Sequence, residues 1–236
     1  MGESRPISAE MRKKMGKRIT QVVITTLVQA ILVFVSAGSL TWEWGWWFIG
    51  TYFLGILINA LLLFSVNPAV IAERADSKDM RGWDQLWGTL AFLTLMLVIP
   101  MIGGLDYRFG WSEAVSRGLH LLGVGLFFVG GLLFTWAMAF NAKFATVVRI
   151  GEEGQHPVAM GGPYRIVRHP GYLGACFQAI GLPLLFGSWW ALIAAGVSMV
   201  AVIVRTGLED RTLQKELAGY DKLVAQTKFR LFPGVW

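Results

Sequence analysis

Two groups of residues in this chain have types and spacings suited to chemistry. The first is the stretch Gln155 to Tyr172, QHPVAMGGPYRIVRHPGY, a polar segment between apolar runs. It holds His156 and His169, each followed by proline, with Arg165, Arg168, a Gly161–Gly162–Pro163 turn, Tyr164 and Tyr172. The second is Arg205 and Glu209, where a long apolar run becomes charged. Their i, i+4 spacing puts both on one helix face. Histidines can move a proton near neutral pH. An arginine fork can hold a carboxylate with paired hydrogen bonds. Plainer readings stand beside these. The first stretch can be an exposed connection, with Tyr164 and Tyr172 as interface anchors and the histidines as turn residues. Arg205 can pair with Glu209 or snorkel. Arg165 and Arg168 read as lipid-headgroup contacts.

The elements that must position these residues are membrane helices. Of the 236 residues, 55% are hydrophobic and 15% charged, against roughly 25% charged in a soluble domain. The formal charge of +6 then reads as basic loops on one side of a bilayer rather than as a nucleic-acid surface. The single cysteine, Cys176, excludes an internal disulfide. No Cys/His group has metal-ligand spacing, so no structural zinc is expected.

Ile19 to Gly38 lacks charge over about 20 residues, enough to cross a bilayer as a helix; a signal peptide ending near Ala37 is the other reading. Trp42, Trp44, Trp46 and Trp47 mark an interfacial turn. Trp44 to Val66 is a second span, ended by Asn67–Pro68. Residues 73–84 read as a charged loop. Leu86 to Gly104 is a third span with Pro100 kinking its end, and Asp106 to Arg117 a polar loop. Leu119 to Phe140 is a fourth span. Its Gly123, Gly125, Gly130 and Gly131 either admit a close neighbour or face lipid. Leu173 to Phe186 and Trp189 to Val204, split by Gly187–Ser188, read as a tight hairpin of short arms. Leu208, Leu213, Leu217 and Leu223 then form the stripe of an amphipathic C-terminal helix.

The fold expected is an all-α polytopic transmembrane bundle of about six membrane segments. Residues 1–140 form the N-terminal helices and 141–236 the functional core. With a cytoplasmic N-terminus, 19 of the 21 Lys and Arg residues fall on the cytoplasmic side; Arg108 and Arg117 are the two opposite. Both termini, the polar stretch and the C-terminal helix are therefore expected to be cytoplasmic.

Gly162-Pro-Tyr-Arg-Ile-Val-Arg-His-Pro-Gly-Tyr172, then Arg205-Thr-Gly-Leu-Glu209, then Gly219-Tyr220 carry a resemblance in identity and spacing. From about Asn141 to its end the chain resembles the isoprenylcysteine carboxyl methyltransferases and the related phospholipid methyltransferases. These are integral membrane enzymes that use S-adenosyl-L-methionine. The resemblance implies cofactor contacts at His156, Pro157, Val158, Ala159, Tyr164, His169, Pro170, Gly171, Tyr172 and Glu209. It implies that Arg205 faces the methyl acceptor, a lipophilic, prenylated or lipid molecule among the membrane lipids. This chain has Arg149 where the family's eukaryotic members have glutamine, and Gly171 where they have serine.

The implied roles are chemically sensible. Tyrosine faces attract a sulfonium, and Glu209 can accept from a ribose or an ammonium. A carboxylate acceptor needs no base, only alignment; an amine acceptor makes His156 or His169 a candidate base. Two alternatives remain. A sterol-type membrane reductase would bind NADPH, with Arg149, Arg165 and Arg168 around its 2′-phosphate. A non-catalytic relative would keep only the shell.

Overall fold

The computed structural model describes residues 9–66, 70–71, 82–141 and 158–236. Helices α1 (Ala9–Ala37) and α2 (Glu43–Val66) are followed by α3 (Gly82–Leu93), which passes through a π-turn at Thr94–Val98 into α4 (Ile99–Phe109). Then come α5 (Arg117–Phe140), a 3-10 turn at Gly162–Arg165, α6 (Pro170–Phe186), α7 (Ala191–Glu216) and the short α8 (Tyr220–Gln226). The expected all-α architecture is the one observed among the described residues, with no strand.

Among the described residues, five helical stretches are long and apolar enough to cross a bilayer: Arg12–Ala37, Glu43–Val66, Gly82–Phe109, Arg117–Phe140 and Ala191–Glu216. The sixth expected segment, α6, has 17 residues. At about 1.5 Å per residue it falls short of the ~30 Å hydrocarbon layer. The longer helices expose large apolar side chains outward, among them Leu27, Ile31 and Val35 of α1 and Phe53 and Leu61 of α2. Such faces suit lipid and not water. The chain is a multi-pass membrane protein.

Three sequence expectations change. The third span runs past Gly104 to Phe109, and Pro100 does not break it. Proline lacks an N–H and crowds the carbonyl four residues earlier; the π-turn just before it absorbs the misfit, with Ile99 N–H bonded to Thr94 O. The helix therefore continues to Phe109, and Asp106 lies inside it rather than in a loop. There Asp106 accepts from Ser112 N–H at 2.7 Å and Ser112 Oγ at 2.6 Å, and from the hydroxyl of Ser188. At the other end of this span the helix begins at Gly82, so Asp84 is in its first turn and fully buried, not in the charged loop.

The hairpin divides at Gly187–Ser188 as expected. Gly187 sits at φ 69°, in the left-handed region, which glycine enters without Cβ strain. Its arms are unequal, however: α7 runs unbroken for 26 residues through Arg205 and Glu209. The leucine stripe therefore continues α7 and does not build a separate amphipathic helix. The chain breaks only at Leu217–Gly219, and Leu213, Leu217 and Leu223 pack around Ala137, Tyr164 and Tyr220.

Helices α5 and α6 carry the site's main loop and touch backbone to backbone. A Cβ at Gly123 would lie 2.2 Å from Leu185 N, and one at Gly130 would lie 2.5 Å from Gly174 O. Gly174 and Gly181 answer from α6, with Gly130 O and Gly123 O at 2.5 and 2.8 Å. The seven-residue spacing of both pairs keeps them on one face through two turns. Gly125 has nothing within 4 Å and Gly131 only an ordinary contact with Gln178. The close-approach reading thus holds for Gly123 and Gly130, while Gly125 is exposed.

Candidate active site

The two groups of reactive residues meet where α6 begins and α7 emerges, at the end of the bundle opposite Arg108, Arg117 and the α6–α7 turn. His169 caps α6 and Pro170 occupies its first turn, the position where a missing N–H costs nothing. The segment before it is tied to the C-terminal tail: Arg168 N–H donates to Phe229 O and His169 N–H to Arg230 O, each at 2.9 Å.

Asp210 is the centre of this end and is fully buried. Arg168 forks onto it, Nε to Oδ1 at 2.8 Å and an Nη to Oδ2 at 3.0 Å. Arg230 Nε donates at 2.7 Å, Gln214 Nε2 at 2.6 Å and the Tyr220 hydroxyl at 2.9 Å. His169 Nε2 stands 3.4 Å from both Asp210 Oδ1 and the Tyr220 oxygen. The other Arg168 nitrogen donates to the carbonyls of Thr227 and Lys228 at 2.9 and 3.0 Å. One carboxylate thus gathers the polar loop, α7, α8 and the tail. Burial works against the charge on Arg168, yet the Asp210 hydrogen bonds and charge prevail and raise its pKa. Burial raises the Tyr220 pKa, and Asp210 raises it further. Arg168 is therefore no headgroup contact, and it is not available to a nucleotide phosphate. Arg165 is exposed.

Glu209, the preceding residue, turns about 100° away and is partly open, its side chain 19% exposed. The Tyr172 hydroxyl donates to Glu209 Oε2 in a short hydrogen bond, and His169 Nδ1 lies 3.9 Å from Oε1. Arg205, one turn earlier, rests its guanidinium over the Tyr172 ring, 5.2 Å from the centroid. On α3, Asp84 accepts from Arg205 Nε at 2.8 Å. Tyr172 and His169 stack with planes 7° apart. Tyr172 is thus flanked by a guanidinium and an imidazole, so its ring is engaged by the protein's own groups.

The other named residues lie further out. Tyr164 is buried; its hydroxyl accepts from Asn141 Nδ2 at 3.3 Å and faces Ala137 O at 3.5 Å, and burial raises its pKa. Val158 and Ala159 pack against the same cluster as Tyr164 and Tyr220. Pro170 and Gly171 are buried in the first turn of α6. Gly162 adopts φ 54° and its missing Cβ would lie 2.8 Å from the Phe140 ring, so the glycine turn is pressed onto the end of α5. His156, Pro157 and Arg149 lie outside the described residues. No group of three or more His, Cys, Asp or Glu able to hold a metal occurs among the described residues.

Sequence reasoning missed Asp84, Asp210 and Arg230. Each had a faint signal. Asp84 precedes an apolar run, Asp210 doubles an acid already singled out, and Arg230 stands among aromatic residues of the tail.

The chain is thus a spanning helical bundle with a charged, histidine-bearing site at one mouth, and over part of its length it is similar to a known family. Residues 119–218 match the model of the PEMT family, described as phospholipid methyltransferase. The match starts earlier than the resemblance, taking in α5, and stops just before Gly219–Tyr220. No curated protein matches the chain.

Proposed function

We propose that the protein transfers a methyl group from S-adenosylmethionine to a lipophilic carboxylate, such as an isoprenylcysteine-like group, reached from the bilayer. One observation carries this reading. Opposite charges stand one helical turn apart at the same mouth, each steadied by its own partner: Arg205 by Asp84, and Glu209 by Tyr172. Such a pair suits a cationic donor beside an anionic acceptor. The residues fit the cofactor. Glu209 offers a partly open carboxylate to an ammonium or ribose hydroxyls.

S-adenosylmethionine, when bound, would supply an electrophilic methyl on a sulfonium, with sulfur keeping the carbon–sulfur electron pair as leaving group. Arg205 holds the acceptor carboxylate, whose oxygen is already ionised, and the site's task is alignment. His169 supports this reading over proton abstraction. It is buried, and its ring nitrogens face Glu209 on one side and Asp210 and Tyr220 on the other. The name of the matching family favours a second reading, a phospholipid amine as acceptor. The distribution of basic residues supports a cytoplasmic side for the active site and both termini.

S-adenosylhomocysteine should raise the thermal midpoint of the detergent-solubilised protein, by mass action on the folded state; NADPH should not. Glu209→Ala and His169→Ala should remain folded and lose most of the shift. Extracted lipids incubated with the methyl-labelled cofactor then separate the acceptors. A carboxyl methyl ester releases labelled methanol in base, and an N-methyl amine does not. Stabilisation by NADPH alone would sink the methyltransferase reading.

A further inference from the structure

The family match covers residues 119–218, yet Arg205 is held by a helix outside it. Asp84 lies 121 positions earlier, in the first turn of α3, with no exposed surface. A carboxylate so deeply buried beside a membrane helix is costly unless it is paired. Its partner Arg205 is itself 14% exposed, open enough to reach a ligand. Four residues on, on the same face of α3, is Gly88. A Cβ there would lie 3.2 Å from Arg205 Cζ and 3.2 Å from an Nη, tighter than an ordinary contact. The Tyr172 ring closes the third side. Asp84 fixes the Nε edge of the guanidinium, Gly88 makes room for its plane and Tyr172 supports its face.

We propose that Asp84 and Gly88 are positioning residues for methyl transfer, forming a cradle on α3 that orients the Arg205 fork toward the acceptor. This rests on the reading of Arg205 as the acceptor-holding residue. It goes further by making the third span part of the active site. A planar fork is useful only in one orientation, because both hydrogen bonds to a carboxylate require a shared plane. An arginine on a four-bond side chain has many rotamers, and a fixed anion behind Nε selects one of them. Movement of α3 relative to α7 then changes the acceptor site without touching Glu209 or the cofactor loop.

The test compares Asp84→Asn, Asp84→Glu and Gly88→Ala with the parent, each alone and with Arg205→Lys. Three quantities are read: S-adenosylhomocysteine affinity by thermal shift, kcat and KM for lipid-extract methylation, and the Arg205 Nε–Hε resonance in arginine-labelled protein, assigned by its loss in Arg205→Lys. The proposal expects Asp84→Asn to lower turnover on the order of 10- to 100-fold, the scale of a 1 Å misplacement, with cofactor affinity within about twofold of the parent. It expects the Arg205 resonance to move in Asp84→Asn and Gly88→Ala. It expects Asp84→Asn to cost less than about twofold in the Arg205→Lys background, since coupled residues are not additive. Gly88→Ala keeps both charges, so it carries the test if Asp84→Asn does not fold. An unmoved resonance, or turnover losses that simply multiply with Arg205→Lys, overturns the cradle. Absence of cofactor binding in the parent protein is a different failure: it removes the methyltransferase reading itself and this proposal with it.

Discussion

Removing the Asp210 carboxylate should be the most damaging single change at this end of the bundle. Asp210→Ala strands the guanidinium of Arg168, only 6% exposed, with carbonyls of Thr227 and Lys228 as its remaining acceptors. It also unties Arg230, Gln214 and Tyr220. Breaking a buried ion pair by removing one partner costs about 3–5 kcal/mol. For a chain of this size each kcal/mol moves the thermal midpoint by about 2–4 °C, so a fall of about 6–20 °C is expected. Arg230→Ala is the internal control. That side chain is a third exposed, and a partly solvated pair contributes about 0–1 kcal/mol. The assay is thermal unfolding in one detergent, read by intrinsic tryptophan fluorescence. Replacing both members, as Arg168→Met with Asp210→Leu, should cost less than the sum of the single changes, because no unpaired charge is left buried. If Asp210→Ala lowers the midpoint no more than Arg230→Ala does, the carboxylate is not the organising centre described.

Arg205→Lys keeps the charge but loses the fork; it should leave cofactor binding intact and lower turnover about 100-fold, or ~2.7 kcal/mol, and a loss under about threefold would remove Arg205 from the reaction. Gly123→Ala and Gly130→Ala should each destabilise by about 1–3 kcal/mol through overpacking, whereas Gly125→Ala should be neutral or slightly stabilising; equal effects in a melting experiment would contradict the backbone contact of α5 and α6. Tyr164 and Tyr220 keep raised pKa values in the fold, while unfolded tyrosines ionise near 10.0. The folded state then holds more protons above that pH and stability should fall as pH rises further; a full phenolate signal at 295 nm from folded protein at pH 11 would refute this. A cysteine placed at position 110 should label from the side opposite the active site in sealed vesicles, and cytoplasmic labelling would reverse the orientation.

What could be read from the sequence was set by contrast with an apolar background. The stretch around His169 and the Arg205–Glu209 pair stand out because charge is rare nearby, and tryptophans and prolines mark the ends of spans. Partnership was not legible in the same way. Arg205 and Asp84 are 121 residues apart, and Arg168 and Asp210 are 42 apart, so no local pattern joins them. Tyr172 read as a face for a cation, and the structure gives that face to Arg205. The four glycines of α5 look alike in one helix. Only the matching spacing of Gly174 and Gly181 in α6 separates the two that touch a backbone from the two that do not. The third span reads as ending at Gly104, short of Phe109, and the π-turn that compensates for Pro100 has no sequence mark of its own.

That compensation bears on how the chain enters the membrane. The Met96 carbonyl loses its ordinary helical donor to Pro100, and Gln29 Nε2 of α1 reaches it at 3.3 Å, with Met96 Sδ at 3.1 Å. Gln29 is itself buried. During synthesis α1 leaves the ribosome before the third span, so the donor is already within the bilayer when the deprived carbonyl arrives. An order of insertion that delayed α1 would bring that carbonyl into hydrocarbon with no amide to receive it, a penalty of several kcal/mol. Gln29 thus ties the first span to the third at the carbonyl that Pro100 leaves without its ordinary donor.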